Sequence, residues 1–265
     1  NEAFVVDTTV PTLTSVGIAS NNATSTLAAA GDVITLTLTA SETISTPVVT
    51  FQSGGAAIND GTIDYVNTDG NTWTAKYTAN SSDTDGSVTF SIAFADTSGN
   101  AGVAVTAVTD GSSVTFDDTV PTLTSVGIAS NNSTSTLAEE GDVVTLTLTA
   151  SETIGTPVVT FQSGGAAITN NVTYTNTSGN TWTAAYTTHD SDTDGSVTFS
   201  IAFSDSAGNA GVAVTAVTDG SSVTYDDTVP TLTSVGIASN NATSTLAKEG
   251  DVVTLTLTAS ETIGT

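Results

Sequence analysis

The chain repeats itself at the length of a domain. The stretch Asp-x-Thr-Val-Pro-Thr-Leu-Thr occurs three times, starting at Asp7, Asp117 and Asp226. Pro11 and Pro121 lie 110 positions apart, and Pro121 and Pro230 lie 109 apart. One residue is lost between Ile58 and Tyr65, so that Phe51 matches Phe161 at 110 but Trp73 matches Trp182 at 109. A unit of this size buries a core of its own. Solenoid repeats are shorter and need their neighbours in order to fold. The chain therefore divides into four pieces. Residues 1–6 read as the end of a preceding unit's last strand, 7–116 and 117–225 as two units, and 226–265 as the first strands of a third.

Each unit reads as short strands separated by turn residues, the pattern of an all-β sandwich. In the first unit, strands are predicted at 12–19, 32–41, 47–52, 72–79 and 87–95, with a weaker pair inside 56–66. A final strand is predicted over 103–116, broken by a bulge at Asp110-Gly111. Ile34, Leu36, Leu38 and Ala40 alternate with Val33, Thr35, Thr37 and Thr39, the mark of a half-buried antiparallel strand. Trp73, Ala75 and Tyr77 share one parity, as do Val88, Phe90, Ile92 and Phe94, so Trp73 and Trp182 read as core residues. No useful 3.6-residue apolar period occurs, and the abundant Thr, Val and Ser suit strands. Two strands cannot close a sandwich, so the third unit is expected to be completed by further chain or by another copy.

Charge narrows the function. The 265 residues hold 27 acidic side chains against two basic ones, Lys76 and Lys248, for a net −25. Nucleic acid and anionic membrane both require Lys and Arg, so neither is an expected partner. A cation or a solubilising surface suits this balance. No run of 18 apolar residues is present to span a membrane, and residues 1–20 show no signal-peptide pattern. Cysteine and methionine are absent, and a sandwich of this size does not need disulfides. The single histidine, His189, falls in a polar loop where the first unit has Asn80 or Ser81. With no cysteine nucleophile and no arginine either, the chain is expected not to be an enzyme.

The acidic residues fall at particular places. Glu42 follows the strand of Leu36, Leu38 and Ala40, and Asp96 follows that of Phe90, Ile92 and Phe94. Both keep the inward parity of their strands, and both strands point to the end where the chain enters the unit. Two carboxylates aimed at one core rim repel unless they are protonated or bridged by a cation. Asp7 arrives at the same end, and Asn100 is placed to add a carbonyl oxygen. The equivalent set at the second joint is Asp117, Asp118, Glu152, Asp205 and Asn209, and at the third Asp226, Asp227 and Glu261. Calcium takes six to eight such oxygens in irregular geometry. Asp32, Asp83 and Asp85, with their counterparts Asp142, Asp192 and Asp194, lie at the opposite end, facing the next joint. Asp83 and Asp85 read first as turn residues, since Asp-Gly is an ordinary turn signal. Asn-x-Ser/Thr triplets begin at Asn22, Asn132 and Asn241, at one equivalent turn, and at Asn80, Asn171 and Asn176. In a chain this rich in Asn and Thr they are weak glycosylation signals.

The joint Asp-Asp-Thr-Val-Pro-Thr-Leu, the strand ending Leu-Thr-Leu-Thr-Ala-Ser-Glu-Thr and the turn Asp205-Ser-Ala-Gly-Asn209 recur in order. The first unit departs slightly, with Asp96-Thr-Ser-Gly-Asn100. In these motifs the chain resembles the bacterial immunoglobulin-like (Big-type) repeats of large surface adhesins and biofilm-associated proteins. The resemblance implies tandem immunoglobulin-like β-sandwiches in a head-to-tail string, export to the cell surface, and calcium stiffening the joints. It carries metal-ligand roles onto Asp117, Asp118, Glu152, Asp205 and Asn209. The expected function is a structural spacer whose partners are the neighbouring repeats of the same chain. The alternatives are a subunit of a self-assembling extracellular filament or surface layer, completed by strand exchange, and a carbohydrate-binding module. The inward parity of Trp73, Tyr77, Phe90 and Phe94 speaks against the last.

Overall fold

The computed structural model describes residues 6–59 and 61–263. The strand expected to precede the first unit falls almost wholly on residues 1–5, outside the described residues.

The first unit contains β1 (Leu13–Ser20), β2 (Leu27–Ala28), β3 (Val33–Ala40), β4 (Val48–Ser53), β5 (Ala56–Ala57), β6 (Asp64–Asn67), β7 (Thr72–Thr78), β8 (Gly86–Ala93) and β9 (Thr115–Phe116). They form a four-stranded sheet, β1-β3-β7-β6, and a five-stranded sheet, β2-β9-β8-β4-β5. All pairings are antiparallel except β2 with β9, which run parallel. The order places the first, second, fifth and fourth long strands in one sheet and the third and sixth in the other. That is the immunoglobulin arrangement of two antiparallel sheets.

The second unit repeats it with β10 (Leu123–Ser130), β11 (Leu137–Ala138), β12 (Val143–Ala150), β13 (Val158–Ser163), β14 (Ala166–Ala167), β15 (Thr173–Ser178), β16 (Thr181–Thr187), β17 (Gly195–Ala202) and β18 (Thr224–Tyr225). Its sheets are β10-β12-β16-β15 and β11-β18-β17-β13-β14. A third pair, β19 (Leu232–Ser239) and β20 (Val253–Ala259), stands as a two-stranded sheet. The chain is thus an all-β string of immunoglobulin-like sandwiches.

The cores follow strand parity. Ile34, Leu36, Leu38, Phe51, Ala75, Tyr77, Ile92 and Phe116 are buried, while Thr37, Thr50 and Thr89 on the opposite faces are exposed. Phe51 and Tyr77 meet across the sheets with ring centroids 4.7 Å apart, and Phe161 and Tyr186 do so at 4.9 Å. Tyr65 ties β6 to the far sheet: its hydroxyl accepts the Val49 N–H at 2.9 Å, as Tyr174 does for Val159.

The segment after β8 departs from the expected bulged strand. It pairs with β8 at Val105, whose N–H and C=O both bond Ile92. It then crosses to the free edge of β1. There the Thr109 N–H donates to Val16 O, and the Thr109 and Ser112 hydroxyls accept the Val16 and Ile18 N–H groups at 2.9 and 2.8 Å. It returns to β8 through Val114 O and ends as β9. Serving both sheets breaks its ladder, and its hydroxyls cap an edge that would otherwise invite pairing. The crossing explains Gly17, where a Cβ would lie 2.3 Å from Asp110 Oδ2. The short β2, which lies beside β9, also escaped the sequence reading, because two residues carry no periodicity.

Candidate metal centre at the joint

At the second joint the chain enters through Asp117. Glu152 follows β12 by two residues and keeps its core-facing parity. Asp205 lies beyond β17 and makes an antiparallel bridge to Ile154, which leads into β13 of the same sheet. Glu152 and Asp205 thus come from the two sheets, and Asp117 comes from the linker. Their carboxylate oxygens lie within 4.8 Å of one another. Asp7, Glu42 and Asp96 form the same group at the first joint.

The turn after β17 holds Asp205 tightly. Its Oδ1 accepts the N–H groups of Gly208 and Asn209 at 2.7 and 2.8 Å, and its Oδ2 accepts Asn209 Nδ2 at 2.7 Å. Asn209 Nδ2 also donates to Asp117 O at 2.8 Å, joining the turn to the linker backbone. Asn100 does the same for Asp96 and Asp7, at 2.7 and 3.1 Å. The two asparagines were expected to offer a carbonyl oxygen. Instead, their amide nitrogens face the carboxylates and align them.

Burial first, then Asp117, Asp205 and Asp85, push the Glu152 carboxyl above the usual carboxylate range. Burial likewise raises Asp117, against the Thr119 N–H that its Oδ1 accepts, and the charges of Asp205, Asp85 and Asp118 add to the rise. Glu42 is pushed up by burial, Asp7 and Asp96. Burial also works against Asp96, but the donors of Asn100, Gly99 and Ser98 outweigh it and hold that carboxyl low. Each cluster therefore combines one carboxylate organised by N–H donors with a glutamate that has few. Glu42 Oε1, Glu152 Oε1 and Glu261 Oε1 are buried and lack a hydrogen-bond partner.

The remaining predicted residues divide. Asp118 is outside the three-carboxylate group, and its N–H donates to Asp85 Oδ1 at 2.9 Å. Asp227 donates in the same way to Asp194 at 3.0 Å, and Asp226 Oδ1 accepts the Thr228 N–H at 3.1 Å. Asp226, Asp227 and Glu261 form no such cluster among the described residues.

Asp83 and Asp85, read alike from sequence, part ways. Asp83 is buried and anchors its own loop, accepting the Asn59 and Asn80 N–H groups at 2.7 and 3.0 Å. Asp85 grips the outgoing linker, with Oδ2 accepting the Thr119 hydroxyl at 2.6 Å. Its place at the end facing the next joint was the only signal of that role. His189 stands in for Asn80: its Nδ1 accepts the Ser191 N–H as Asn80 Oδ1 accepts that of Ser82.

The donor set is all oxygen. Neither thiolate nor imidazole is near, so zinc-type ligation has no basis here. Ligand oxygens around one calcium sit about 2.3–2.6 Å from it and hence up to about 5 Å from each other. The carboxylate oxygens of each cluster fall within that span.

No protein-family model matches the sequence, and no curated protein matches it. Among solved structures the chain is similar to the I-band fragment I67–I69 from titin, with TM-score 0.44 and 12% identity over 84% of this chain and 68% of that one. It is also similar to a chimeric titin Z1Z2 carrying an exogenous decorin peptide, with TM-score 0.33 and 17% identity over 84% and 100%. The tandem Ig repeats of Dlar match with TM-score 0.25 and 13% identity over 83% and 99%. At these scores the likenesses decide nothing further. The immunoglobulin-like assignment rests on strand order.

Proposed function

We propose that this chain is a length of non-enzymatic extracellular stalk, a spacer in a large surface adhesin whose joints are stiffened by calcium. One observation carries the reading: Asp117, Glu152 and Asp205 converge where one unit meets the next, with Glu152 Oε1 buried and unpartnered. A cation there supplies the positive charge that three close carboxylates otherwise lack. It also ties the linker carboxylate to both sheets of the following unit. Asp117, Glu152 and Asp205 hold it at the second joint, and Asp7, Glu42 and Asp96 at the first. Calcium at extracellular concentration suits modules with dissociation constants of about 10⁻⁴ to 10⁻³ M. The net charge of −25 keeps a long string of such units soluble.

Small-angle scattering on the full chain tests this. Calcium should lengthen and stiffen the particle relative to chelator, and Glu152→Gln with Asp205→Asn should abolish the change at the second joint. Identical scattering with calcium and with chelator would sink the proposal.

A further inference from the structure

Asn22 lies in the turn after β1, and its side chain is fully committed. Oδ1 accepts the Thr24 N–H at 3.0 Å, a local turn bond. The amide nitrogen donates to Asp32 Oδ2 at 2.7 Å and to the carbonyl of Ala207, 185 positions along the chain, at 2.8 Å. Asp32 is held in turn by the Ala29 N–H at 2.8 Å. Ala207 belongs to the Asp205–Asn209 turn of the following unit and is buried, whereas Ser98, its equivalent in the first unit, is exposed.

The local half of this arrangement recurs. Asn132 donates to Asp142 at 2.8 Å, and Asn241 donates to Asp251 at 2.7 Å. The turn thus uses one amide hydrogen and leaves the other free to point outward. At Asn22 that second hydrogen crosses to the neighbour.

The linker needs such a contact. On one side Ala28 O accepts the Asp117 N–H, and Asp85 holds Asp118 and Thr119. On the other side Asn209 holds Asp117, and Ser151 Oγ accepts the Thr122 N–H at 3.0 Å. Tethers along a single strand of chain still permit a swing about it, and a bond away from the linker removes that swing.

We propose that the asparagine after the first strand of each unit locks the joint directly, recognising the backbone carbonyl in the Asp-x-x-Gly-Asn turn of the next unit. The lock does not depend on a cation. It also assigns the triplet Asn22-Ala23-Thr24 to domain contact: a glycan would be attached through Nδ2, the atom that makes the bond.

The chain has no native cysteine, so spin labels at Gln52→Cys and Gln162→Cys report the distance between the first two units by pulsed electron resonance. The exchange Asn22→Asp/Asp32→Asn keeps a side-chain bond between the two positions at the cost of the Ala29 N–H acceptor, and removes the outward donor. In chelator and in calcium alike, it should raise the population outside the closed distance roughly fivefold, the weight of one net hydrogen bond. Asn132→Asp/Asp142→Asn, the same change away from this joint, should leave the distribution as it was. An unchanged distribution in the Asn22 exchange overturns the lock, and so does equal broadening by both exchanges. Glu152→Gln, measured alongside, should remove the difference between the calcium and chelator distributions, so that failure of the cation reading is seen separately.

Discussion

Replacing Glu152 with glutamine removes one negative charge from the second joint while keeping the side chain's size. Its carboxylate oxygen lies within 4.8 Å of those of both Asp117 and Asp205. At that distance each like-charge pair costs about 1 kcal/mol even with the dielectric of water, so two pairs cost about 2 kcal/mol. The spacing is well inside a Debye length of about 10 Å, so moderate salt screens it only partly. In chelator at neutral pH, Glu152→Gln should therefore stabilise the second unit by about 1–2 kcal/mol. By calorimetry its melting point should rise roughly 4–8 °C per kcal/mol, with the first unit as internal reference. In calcium the sign should reverse. At about 100 times its dissociation constant, a cation stabilises the parent by roughly 2.7 kcal/mol, more than the variant gains in chelator, and the variant loses a charged ligand for it. Acid should erase the chelator effect. The Glu152 carboxyl is raised, so its ionisation destabilises the folded unit: that penalty grows as pH rises from the ordinary glutamate value through the folded one, and vanishes below both. Destabilisation of equal size in calcium and in chelator would refute this reasoning, because it would make Glu152 an ordinary hydrogen-bonding side chain.

Three further outcomes follow from the geometry. Gly102→Ala should destabilise the first unit by roughly 1–3 kcal/mol through overpacking against the buried Phe94 ring, whereas Gly17→Ala, which meets only the end of the exposed Asp110 side chain, should cost less in denaturant titration. Phe161→Ala should cost the second unit about 3–5 kcal/mol, read from the same titration, because its fully buried ring packs on Tyr186 between the sheets. Asp194 is held low by the Thr228 hydroxyl and the Asp227 N–H, so its contribution is present above the ordinary aspartate value and is lost as pH falls through the depressed one. Thr228→Val should return that carboxyl toward the ordinary range in an NMR titration; no movement would mean that the linker hydroxyl is not its main partner.

The repeat period, the strands and the inward faces were legible in the chain, because side chains alternate across a strand with a period of two and the turns between strands have their own residue types. The same parity put Glu152 beneath Leu148 and Ala150, and Asp205 beneath Ile201 and Phe203, which is why a shared rim could be reasoned from sequence. The path of residues 103–114 was not legible. It is set by which sheet edge needs N–H acceptors, and neighbouring residues do not encode that need. Asn100 and Asn209 looked like oxygen donors and serve as nitrogen donors, because the orientation of an amide depends on what the fold brings to it. Asp83 and Asp85 are two positions apart and look alike in the chain, yet one anchors its own loop and the other holds the next linker. The bond from Asn22 to Ala207 spans 185 positions, and no local pattern predicts it. Local periodicity thus determined what each unit is made of. How one unit grips the next was decided by contacts that exist only after the sandwiches have formed.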